Sequence, residues 1–307
     1  FTGKLENVYP TTAAASGKAE NLSYTGGITA FPAKKSKKVK VFIPVFPGTN
    51  CEFDTAKRFA LAGAEPVICV IRNRTQEELS ASLDEAAKCI ESSRIIAFPG
   101  GFSGGDEPDG SGKFIATAFR CGKIADAIDS LLYKRDGLIL GICNGFQALV
   151  KLGLLPSGKI CELDSCSPTL TFNNISRHVS TAVNVRVASN LSPWLAGVKT
   201  GDVFKVAVSH GEGKFIAPEN KIAELIANGQ IATQYCDEHG NATMQSPFNP
   251  NGSVMAIEGI TSRDGRIFGK MGHSERIGEF LMKNVPGDAD MKIFESGVKY
   301  LNKTVCG

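Results

Sequence analysis

One cysteine of the sequence has neighbours that are typical of a catalytic nucleophile. Cys143 follows the apolar run Gly137–Ile142 and precedes a helical pattern, with Gly141 and Gly145 two residues to either side. A nucleophile on a tight turn between a strand and a helix needs such small neighbours, because larger side chains would collide with the crossing elements. The helix N-terminus also favours the reactive thiolate. Without such glycines, a cysteine among apolar residues is more often a small buried hydrophobic residue. The glycine spacing therefore favours a nucleophile that attacks a carbonyl-like centre.

A second feature is the glycine-rich stretch from Phe98 to Asp106, which contains four glycines and follows a predicted strand. Such loops bring backbone N–H groups close to a ligand. Phosphate binding is one interpretation, but the stretch lacks the ending of a P-loop and the glycine spacing of a dinucleotide fold. The alternative is an oxyanion hole, in which an N–H group of this loop and one of Asn144 stabilise a tetrahedral intermediate. The glycine content favours the oxyanion hole.

The general base has to come from one of four histidines, at positions 178, 210, 239 and 273. His273 follows the strand-like run Ile267–Lys270 and has Glu275 two residues on, which suits a base with an orienting carboxylate. The alternative for this pair is a solvated ion pair at the surface. His210, with Glu212 two residues on and glycines around it, is a second candidate for the base. The other two histidines lie in polar, turn-like contexts and are predicted to be surface residues.

An alternation of strands and helices has to position these groups. In the first half, short apolar runs predict buried strands at Val39–Phe46, Pro66–Ile71, Arg94–Phe98 and Gly137–Ile142. Helical patterns lie between them at Asp54–Ala62, Thr75–Ser92 and Lys113–Tyr133. This order predicts an open, mostly parallel α/β sheet with helices on both faces. Ligands of such sheets bind at the carboxyl ends of the strands, so we expect loops near residues 47, 99 and 143 to form the site.

The second half is more strand-like and is expected to extend the same sheet. The predicted strands are Thr181–Val187, Phe204–Val208, Ile231–Tyr235, Val254–Ile260 and Ile267–Lys270. Residues 1–38 differ from the rest, because they are rich in small and polar residues and show no sustained apolar period. They are interpreted as a linker from an upstream domain, with a basic cluster of Lys34, Lys35, Lys37, Lys38 and Lys40. Residues 39–307 then form one domain.

Composition excludes several classes of function. The chain has 307 residues, 42% of them hydrophobic, and its 34 basic and 31 acidic residues leave a net charge of +3. This balance argues against nucleic acid or a membrane surface as the main partner, and no apolar run approaches the roughly 18 residues of a membrane span. Nine scattered cysteines without a zinc-binding spacing predict a reduced compartment and no metal. The protein is therefore predicted to be cytoplasmic.

The motifs around these residues resemble those of the class I (triad) glutamine amidotransferases. The resemblance rests on Gly-Ile-Cys143-Asn-Gly-Phe-Gln, on the glycine-rich stretch that ends at Asp106, and on Gly-His273-Ser-Glu275-Arg. More narrowly, the chain resembles the glutaminase domains of phosphoribosylformylglycinamidine synthases, large single-chain type. The motifs similar to that subgroup lie at residues 171–176, 207–213 and 249–253. The match runs from about Val39 to the C-terminus and implies a flavodoxin-like fold.

The resemblance implies a role for each matching residue. Cys143 would be acylated by the side-chain carboxamide of glutamine, His273 would shuttle the proton, and Glu275 would hold His273. Gly101 and Asn144 would supply the oxyanion N–H groups. The glutamine pocket would be lined by Phe102, Ser103, Gln147, His210 and Glu212. Two positions depart from the family pattern, namely Phe146 in place of a second cysteine and Ser274 in place of proline.

The resemblance also implies a partner. In this family the glutaminase domain is commonly the C-terminal part of a long polypeptide, which agrees with a chain that begins at Phe1 rather than Met. An upstream synthetase domain would use ATP and Mg²⁺ to convert formylglycinamide ribonucleotide to formylglycinamidine ribonucleotide with the ammonia released here. This domain itself would need no cofactor. Two alternatives remain, an inactive docking module of the same fold and a stand-alone cysteine hydrolase that uses His210.

Overall fold

The computed structural model describes residues 5, 6, 8–29, 38–105 and 112–302 of the chain. Five residues named above lie outside the described residues, namely Phe1, Lys34, Lys35, Lys37 and Asp106. In the described part, the first half alternates strands and helices as predicted. The strands are β1 Lys40–Val45, β2 Glu65–Val70, β3 Ile95–Phe98 and β4 Leu138–Ile142. The helices between them are α1 Glu52–Leu61, α2 Gln76–Ser92, α3 Lys113–Phe119 and α4 Gly122–Asp129.

The predicted continuous helix Lys113–Tyr133 was wrong, because the chain bends at Cys121. The backbone of Cys121 is extended, with φ −56° and ψ 129°, and α4 starts anew at Gly122. Glycine has a low helix propensity, which favours a break there. After α4 the last turns widen to a π-helix at Ser130–Lys134. The segment that leads into β4 is thus two short helices and a π-turn.

The second half supplies seven more strands. They are β5 Thr169–Phe172, β6 Val179–Val187, β7 Val203–His210, β8 Glu212–Ile216, β9 Ile231–Cys236, β10 Ile257–Thr261 and β11 Ile267–Lys270. Its helices are α5 Asn144–Lys151, the single turn α6 Leu154–Ser157, α7 Glu219–Ala227 and α8 Ile293–Asn302. The predicted strand Val254–Ile260 was wrong for its first three residues, which form a 3₁₀ turn in which Met255 and Ala256 have positive φ.

Nine strands form one sheet in the order β2-β1-β3-β4-β11-β10-β9-β6-β7. The five strands from β2 to β11 pair in parallel, and the four from β10 to β7 are joined antiparallel. The predicted open, mostly parallel α/β sheet that continues into the second half is confirmed. Because parallel strands end at the same edge, the loops after β1, β3, β4 and β11 meet there.

The core follows from the sequence pattern of the strands. All residues of β3 and β4 are buried, as expected for parallel strands covered on both faces. An aromatic group of Phe46, Phe98 and Phe119 packs between the sheet and α3, with ring centroids 5.0 to 5.9 Å apart. Burying each such ring contributes about 1.5 to 3 kcal/mol. Among the described residues, no helix is long and apolar enough to cross a membrane.

The segment before β1 also contacts the sheet. The backbone N–H of Tyr24 donates to the carbonyl of Ala188 at 2.9 Å, and Arg186 donates to the carbonyl of Leu22 at 2.7 Å. Leu22 and Ile28 pack against the core. These contacts show that part of the segment packs against the sheet, but they do not test whether it connects to an upstream domain. The interpretation of residues 1–38 as a linker therefore stays a prediction.

Candidate active site

Cys143 occupies a strained turn between β4 and α5. Its φ of 53° and ψ of −108° lie outside the regions that side chains ordinarily adopt, a strain that costs on the order of 1 to 3 kcal/mol. The N–H group of Cys143 is fixed by the carbonyl of Lys270 on β11 at 2.8 Å. Its side chain is buried, and Sγ lies 3.8 Å from the carbonyl oxygen of Ser209. The thiol therefore lies next to the end of β7.

The two flanking glycines are required by close packing. A Cβ on Gly141 would lie 2.6 Å from Leu149 and 2.8 Å from the backbone of Gly145 on α5. A Cβ on Gly145 would overlap the carbonyl oxygen of Phe98 at the end of β3. Contacts shorter than about 3 Å are well inside the optimum for heavy atoms. The glycine spacing therefore lets α5 lie directly against β3 and β4, as expected from the sequence.

His273 and Glu275 lie on the turn after β11. His273 Nδ1 and Glu275 Oε1 are 2.6 Å apart, and both side chains are buried. The bond to Glu275 places the proton on Nδ1. The other ring nitrogen, Nε2, is buried and makes no hydrogen bond with the described residues. This leaves Nε2 as the ring nitrogen that can exchange a proton with the thiol or with a substrate.

Electrostatics couple His273 to both of its predicted partners. Burial disfavours the imidazolium, but the charges of Glu275 and Cys143 outweigh burial and raise the pKa of His273 well above its ordinary value of 6.5. Burial also disfavours the carboxylate of Glu275, yet His273 lowers the pKa of that group below its ordinary 4.5. The structure thus brings Cys143, His273 and Glu275 into one interacting group, which favours an imidazolium beside a carboxylate.

The loop after β3 closes over this group. A Cβ on Gly100 would lie 2.7 Å from the His273 ring and 3.4 Å from Cys143 Cβ. Gly101 has φ +145° and forms a bridge with Thr49 in the loop after β1. A side chain on Gly101 would meet the backbone of Gly48 and Thr49 within 2.7 Å. The predicted meeting of the loops near residues 47, 99 and 143 is confirmed.

Four predicted oxyanion and pocket residues are connected by hydrogen bonds. Asn144, the first residue of α5, donates from Nδ2 to Gln147 Oε1 at 3.1 Å and accepts from the N–H of Ser103 at 3.4 Å. Gln147 Nε2 donates to the carbonyl oxygen of Glu212. N–H groups in the first turn of a helix have no partner within the helix, so α5 presents them next to Cys143. Ser103 Oγ is buried without a hydrogen-bond partner in the described part of the chain.

Phe102 lies at the rim of this region. Its ring is 37% exposed, and its centroid lies 6.1 Å from the ring of His178. A half-exposed aromatic ring beside a buried polar cluster can cover a ligand without closing the site.

His210, the second candidate for the base, has a different environment. His210 Nδ1 lies 3.1 Å from Asn173 Oδ1, so its partner is an amide rather than a carboxylate. Burial, followed by the charges of His273 and His178, lowers the pKa of His210 to about 3. His210 is therefore neutral near pH 7, and its buried Nε2 has no hydrogen-bond partner among the described residues. His178 and His239 are exposed, as predicted.

One polar neighbour of the site was not predicted. Cys51, after β1, lies 3.8 Å from His273 Nδ1 and accepts a hydrogen bond from Arg276 at 3.0 Å. Its Sγ belongs with His273 and Glu275 to a group of metal-ligand-type atoms that lie within 4.8 Å of one another. The guanidinium charge of Arg276 disfavours a cation there, and the His273–Glu275 hydrogen bond already occupies Nδ1. The only signal in the sequence for this role of Cys51 was its position in the loop after β1, at the edge of the sheet where the site was expected.

The fold and the site define a class of protein. An α/β sheet with a cysteine at a strand-to-helix turn, beside a buried histidine that is paired with a carboxylate, is typical of thiol enzymes that act on carbonyl-like centres. Residues 38–301 match the family model described as the CobB/CobQ-like glutamine amidotransferase domain. The chain belongs to this glutamine amidotransferase family.

Two curated relatives show the subgroup. Phosphoribosylformylglycinamidine synthase subunit PurQ of Aquifex aeolicus is 33% identical over 251 residues, which are 81% of this chain and 96% of the relative. PurQ of Dehalococcoides mccartyi is 36% identical in a 275-residue alignment that covers 86% of this chain and 98% of the relative. A chain in the structure of PurLQS from Thermotoga maritima superposes with a TM-score of 0.62 at 25% identity, over 86% of this chain and 99% of that one. The chain is a homologue of PurQ.

Proposed function

We propose that this domain hydrolyses L-glutamine to glutamate and ammonia through a γ-glutamyl thioester on Cys143. The observation that carries the proposal is the buried group of Cys143, His273 and Glu275, in which Glu275 holds Nδ1 at 2.6 Å and leaves Nε2 unpartnered. Membership in the glutamine amidotransferase family supports glutamine as the substrate.

The reaction follows from the positions of these groups. The thiolate of Cys143 attacks the carboxamide carbon of glutamine, and the N–H groups of Gly101 and Asn144 stabilise the oxyanion. His273 gives its proton to the leaving nitrogen, so ammonia departs and the thioester remains. Nε2 of His273 then takes a proton from water as the water attacks the thioester, which releases glutamate and restores the Cys143 thiolate beside the protonated His273. Glu275 keeps the ring oriented and stabilises the imidazolium in both steps.

The unpartnered buried polar atoms support a pocket for the substrate. Ser103 Oγ and His210 Nε2 are buried without hydrogen-bond partners in the described part of the chain. Leaving such groups unsatisfied costs about 1 to 3 kcal/mol each, and a bound glutamine would supply partners for both. Phe102, Gln147 and Glu212 complete the proposed lining.

The ammonia is proposed to serve a synthetase that converts formylglycinamide ribonucleotide to formylglycinamidine ribonucleotide. Support comes from the PurQ relatives and from the solved relative, which belongs to PurLQS. The sequence resemblance implies a synthetase in the same longer polypeptide, whereas these relatives are separate subunits. The mass of the native protein, measured under denaturing conditions, decides between the two arrangements.

The function is tested by labelling with a glutamine-like chloroketone. Peptide mass spectrometry should find the label on Cys143, and excess glutamine should protect against it. A Cys166→Ser variant is the matched control, because Cys166 is an exposed cysteine that belongs to none of the matching motifs. Labelling of a different cysteine, or labelling that glutamine does not slow, would refute the proposed function.

A further inference from the structure

A fully buried ion pair lies directly behind the turn that carries His273. Lys270 Nζ and Glu258 Oε1 are 3.0 Å apart, and both side chains are inaccessible to solvent. Taking two charges out of water is costly, and such a pair is often no more stabilising than apolar side chains of similar volume. The pair therefore calls for an explanation other than stability, and its contacts provide one.

Both partners hold the backbone of the same residue, Gly272. Glu258 Oε1 accepts a hydrogen bond from the N–H of Gly272 at 2.7 Å, and Lys270 Nζ donates to the carbonyl of Gly272 at 2.9 Å. The second carboxylate oxygen of Glu258 accepts from the hydroxyl of Thr233 at 2.5 Å, which fixes the orientation of the carboxylate. Charge-assisted hydrogen bonds of this kind are about twice as strong as neutral ones. Both backbone polar groups of Gly272, the residue before His273, are thus held by hydrogen bonds.

Local irregularities make this arrangement possible. The pairing of β10 with β9 shifts register on both sides of Gly259, next to Glu258. Such bulges re-aim side chains near active sites. A Cβ on Gly272 would lie 2.9 Å from Glu258 Oε1 and 3.1 Å from Lys270 Nζ, so glycine lets the charged groups approach the backbone. We use the term Gly272 clamp for Lys270, Glu258 and Gly272 together.

The clamp also connects the two sides of the site. The backbone carbonyl of Lys270 accepts the N–H of Cys143 at 2.8 Å, while its side chain holds Gly272. The N–H of His273 donates to the carbonyl of Ala207 on β7 at 2.8 Å. The peptide before His273 is therefore held by the clamp, and the amide of His273 itself is held by β7.

We propose that Lys270 and Glu258 are positioning residues that hold His273 at working distance from Cys143 through the two polar groups of Gly272. The inference rests on the proposed role of His273 as the base of glutamine hydrolysis. Both charged residues act through Gly272 and do not contact the reacting atoms. Releasing the clamp lets the imidazole move, and a displacement of about 1 Å is enough to lower a rate roughly 10²-fold.

The test is a double variant, Lys270→Met with Glu258→Leu, made in the full-length native protein purified with the subunits that accompany it. Apolar replacement of both partners keeps the volume and leaves no unpaired buried charge, so the expected loss of thermal stability is limited to the cost of the Gly272 and Thr233 groups that lose their hydrogen-bond partners. We expect kcat for glutamine hydrolysis to fall about 10- to 100-fold while KM changes less than about threefold. Alkylation of Cys143 by iodoacetamide at neutral pH should slow about tenfold, because the thiol loses its imidazole partner.

A variant at the other end of the same strand is the matched control. Arg266 immediately precedes β11 at the end opposite to Lys270, and its Nε lies 2.7 Å from Asp264 Oδ2, so Arg266→Met removes a buried charge without touching the clamp. This variant should lose thermal stability and keep kcat within about twofold. A double variant that is folded and keeps the wild-type kcat and alkylation rate would overturn the proposal. So would a double variant whose kcat falls only in step with its thermal stability, as a merely structural role requires.

The alkylation measurement separates this proposal from the proposed function. It reports the contact between Cys143 and His273 without glutamine. If the wild-type protein releases no glutamate but the double variant still alkylates more slowly, the clamp stands and the proposed function fails. If glutamate is released normally and the alkylation rate and kcat do not respond to the double variant, the clamp fails alone.

Discussion

The turn that carries Cys143 and the turn that carries His273 face each other across the same sheet edge, yet they are held in different ways. The Cys143 turn is fixed by steric exclusion, because Gly141 and Gly145 allow α5 to pack against β3 and β4 with no room for a Cβ. The His273 turn is fixed by buried charges, namely the Lys270–Glu258 pair at 3.0 Å and the His273–Glu275 pair at 2.6 Å.

The difference reflects what each group has to do. A nucleophile needs a fixed position for its sulfur, which the close packing at Gly141 and Gly145 provides together with the backbone hydrogen bond from Cys143 to Lys270. A base has to change its charge during the reaction, so its surroundings have to stabilise the imidazolium as well as hold the ring. The comparison predicts that the Cys143 turn fails when volume is added and that the His273 turn fails when charge or a hydrogen bond is removed.

The largest effect is expected from removing the reacting groups themselves. Cys143→Ala and His273→Asn should each lower glutamate release by at least about 10³-fold, because either change abolishes thioester formation. Ammonia-dependent synthesis by the partner synthetase should persist in both variants. Glutamate release is measured by coupled assay, with Cys166→Ser as the control. Substantial glutamine hydrolysis by Cys143→Ala would show that Cys143 is not the nucleophile.

Adding volume to the Cys143 turn is expected to have the next largest effect. Gly145→Ala places a methyl group on the carbonyl oxygen of Phe98, which should lower the free energy of unfolding by about 3 kcal/mol. Gly122→Ala is the matched control, since a Cβ at this position in α4 would meet nothing within 4 Å. The control should be neutral or stabilise by up to about 1 kcal/mol. Chemical denaturation measures both, and equal effects would disprove the packing argument.

Removing a charge from the His273 turn tests the other side of the comparison. Glu275→Gln keeps the volume but lets the imidazole lose its preferred tautomer, so kcat should fall about 10²-fold while KM for glutamine stays nearly constant. Steady-state kinetics with glutamine gives both constants. A variant with unchanged kcat would show that Glu275 is structural only.

The difference in folding stability between wild type and Glu275→Gln is expected to depend on pH. The raised pKa of His273 contributes stability that is complete below 6.5 and is lost as the pH rises through the folded-state pKa. The lowered pKa of Glu275 contributes stability that is complete above 4.5 and is lost as the pH falls through its folded-state pKa. The stability difference between wild type and Glu275→Gln should therefore be largest between pH 4.5 and 6.5. A difference that grows above this window would contradict the assignment.

The smallest effect is expected from the second histidine. His210 is neutral and hydrogen-bonded to an amide, so His210→Asn should raise KM for glutamine about tenfold and leave kcat within about threefold. His273→Asn is the comparison, since it should abolish kcat. A loss of kcat in His210→Asn as large as that of His273→Asn would favour the alternative base.

The two turns also differ in how far the sequence predicts them. The glycines at 141 and 145 are local in sequence, so their spacing predicts the turn and its chemistry directly. The His273 turn depends on Glu258, which lies 14 residues before Gly272, and on a bulge in β10 that no residue pattern announces. Asn173, the partner of His210, is 37 residues away from it. Contacts of this kind exist only once the strand order is known.

The same contrast holds for the fold. Continuous apolar runs predict the parallel strands β1 to β4 to within a residue or two. Both faces of β3 and β4 are buried, and the edge strand β2 keeps an apolar run although Ile68 and Val70 are exposed. The short pair β5 and β8 and the helices α7 and α8 were not predicted, since their patterns are brief or mixed. The break at Cys121 was missed because the helical spacing of apolar residues continues across it, although the backbone of Cys121 is not helical.

The most direct test of the central claim is to trap the acyl-enzyme. The native protein is mixed with isotopically labelled glutamine, quenched in acid within the first turnovers, and digested for peptide mass spectrometry. We predict a γ-glutamyl group on the Cys143 peptide of the wild-type protein and no such group in Cys143→Ala. In Glu275→Gln the group accumulates further if hydrolysis of the thioester is slowed more than its formation. Release of glutamate without any label on Cys143, or with the label on another residue, would contradict the account.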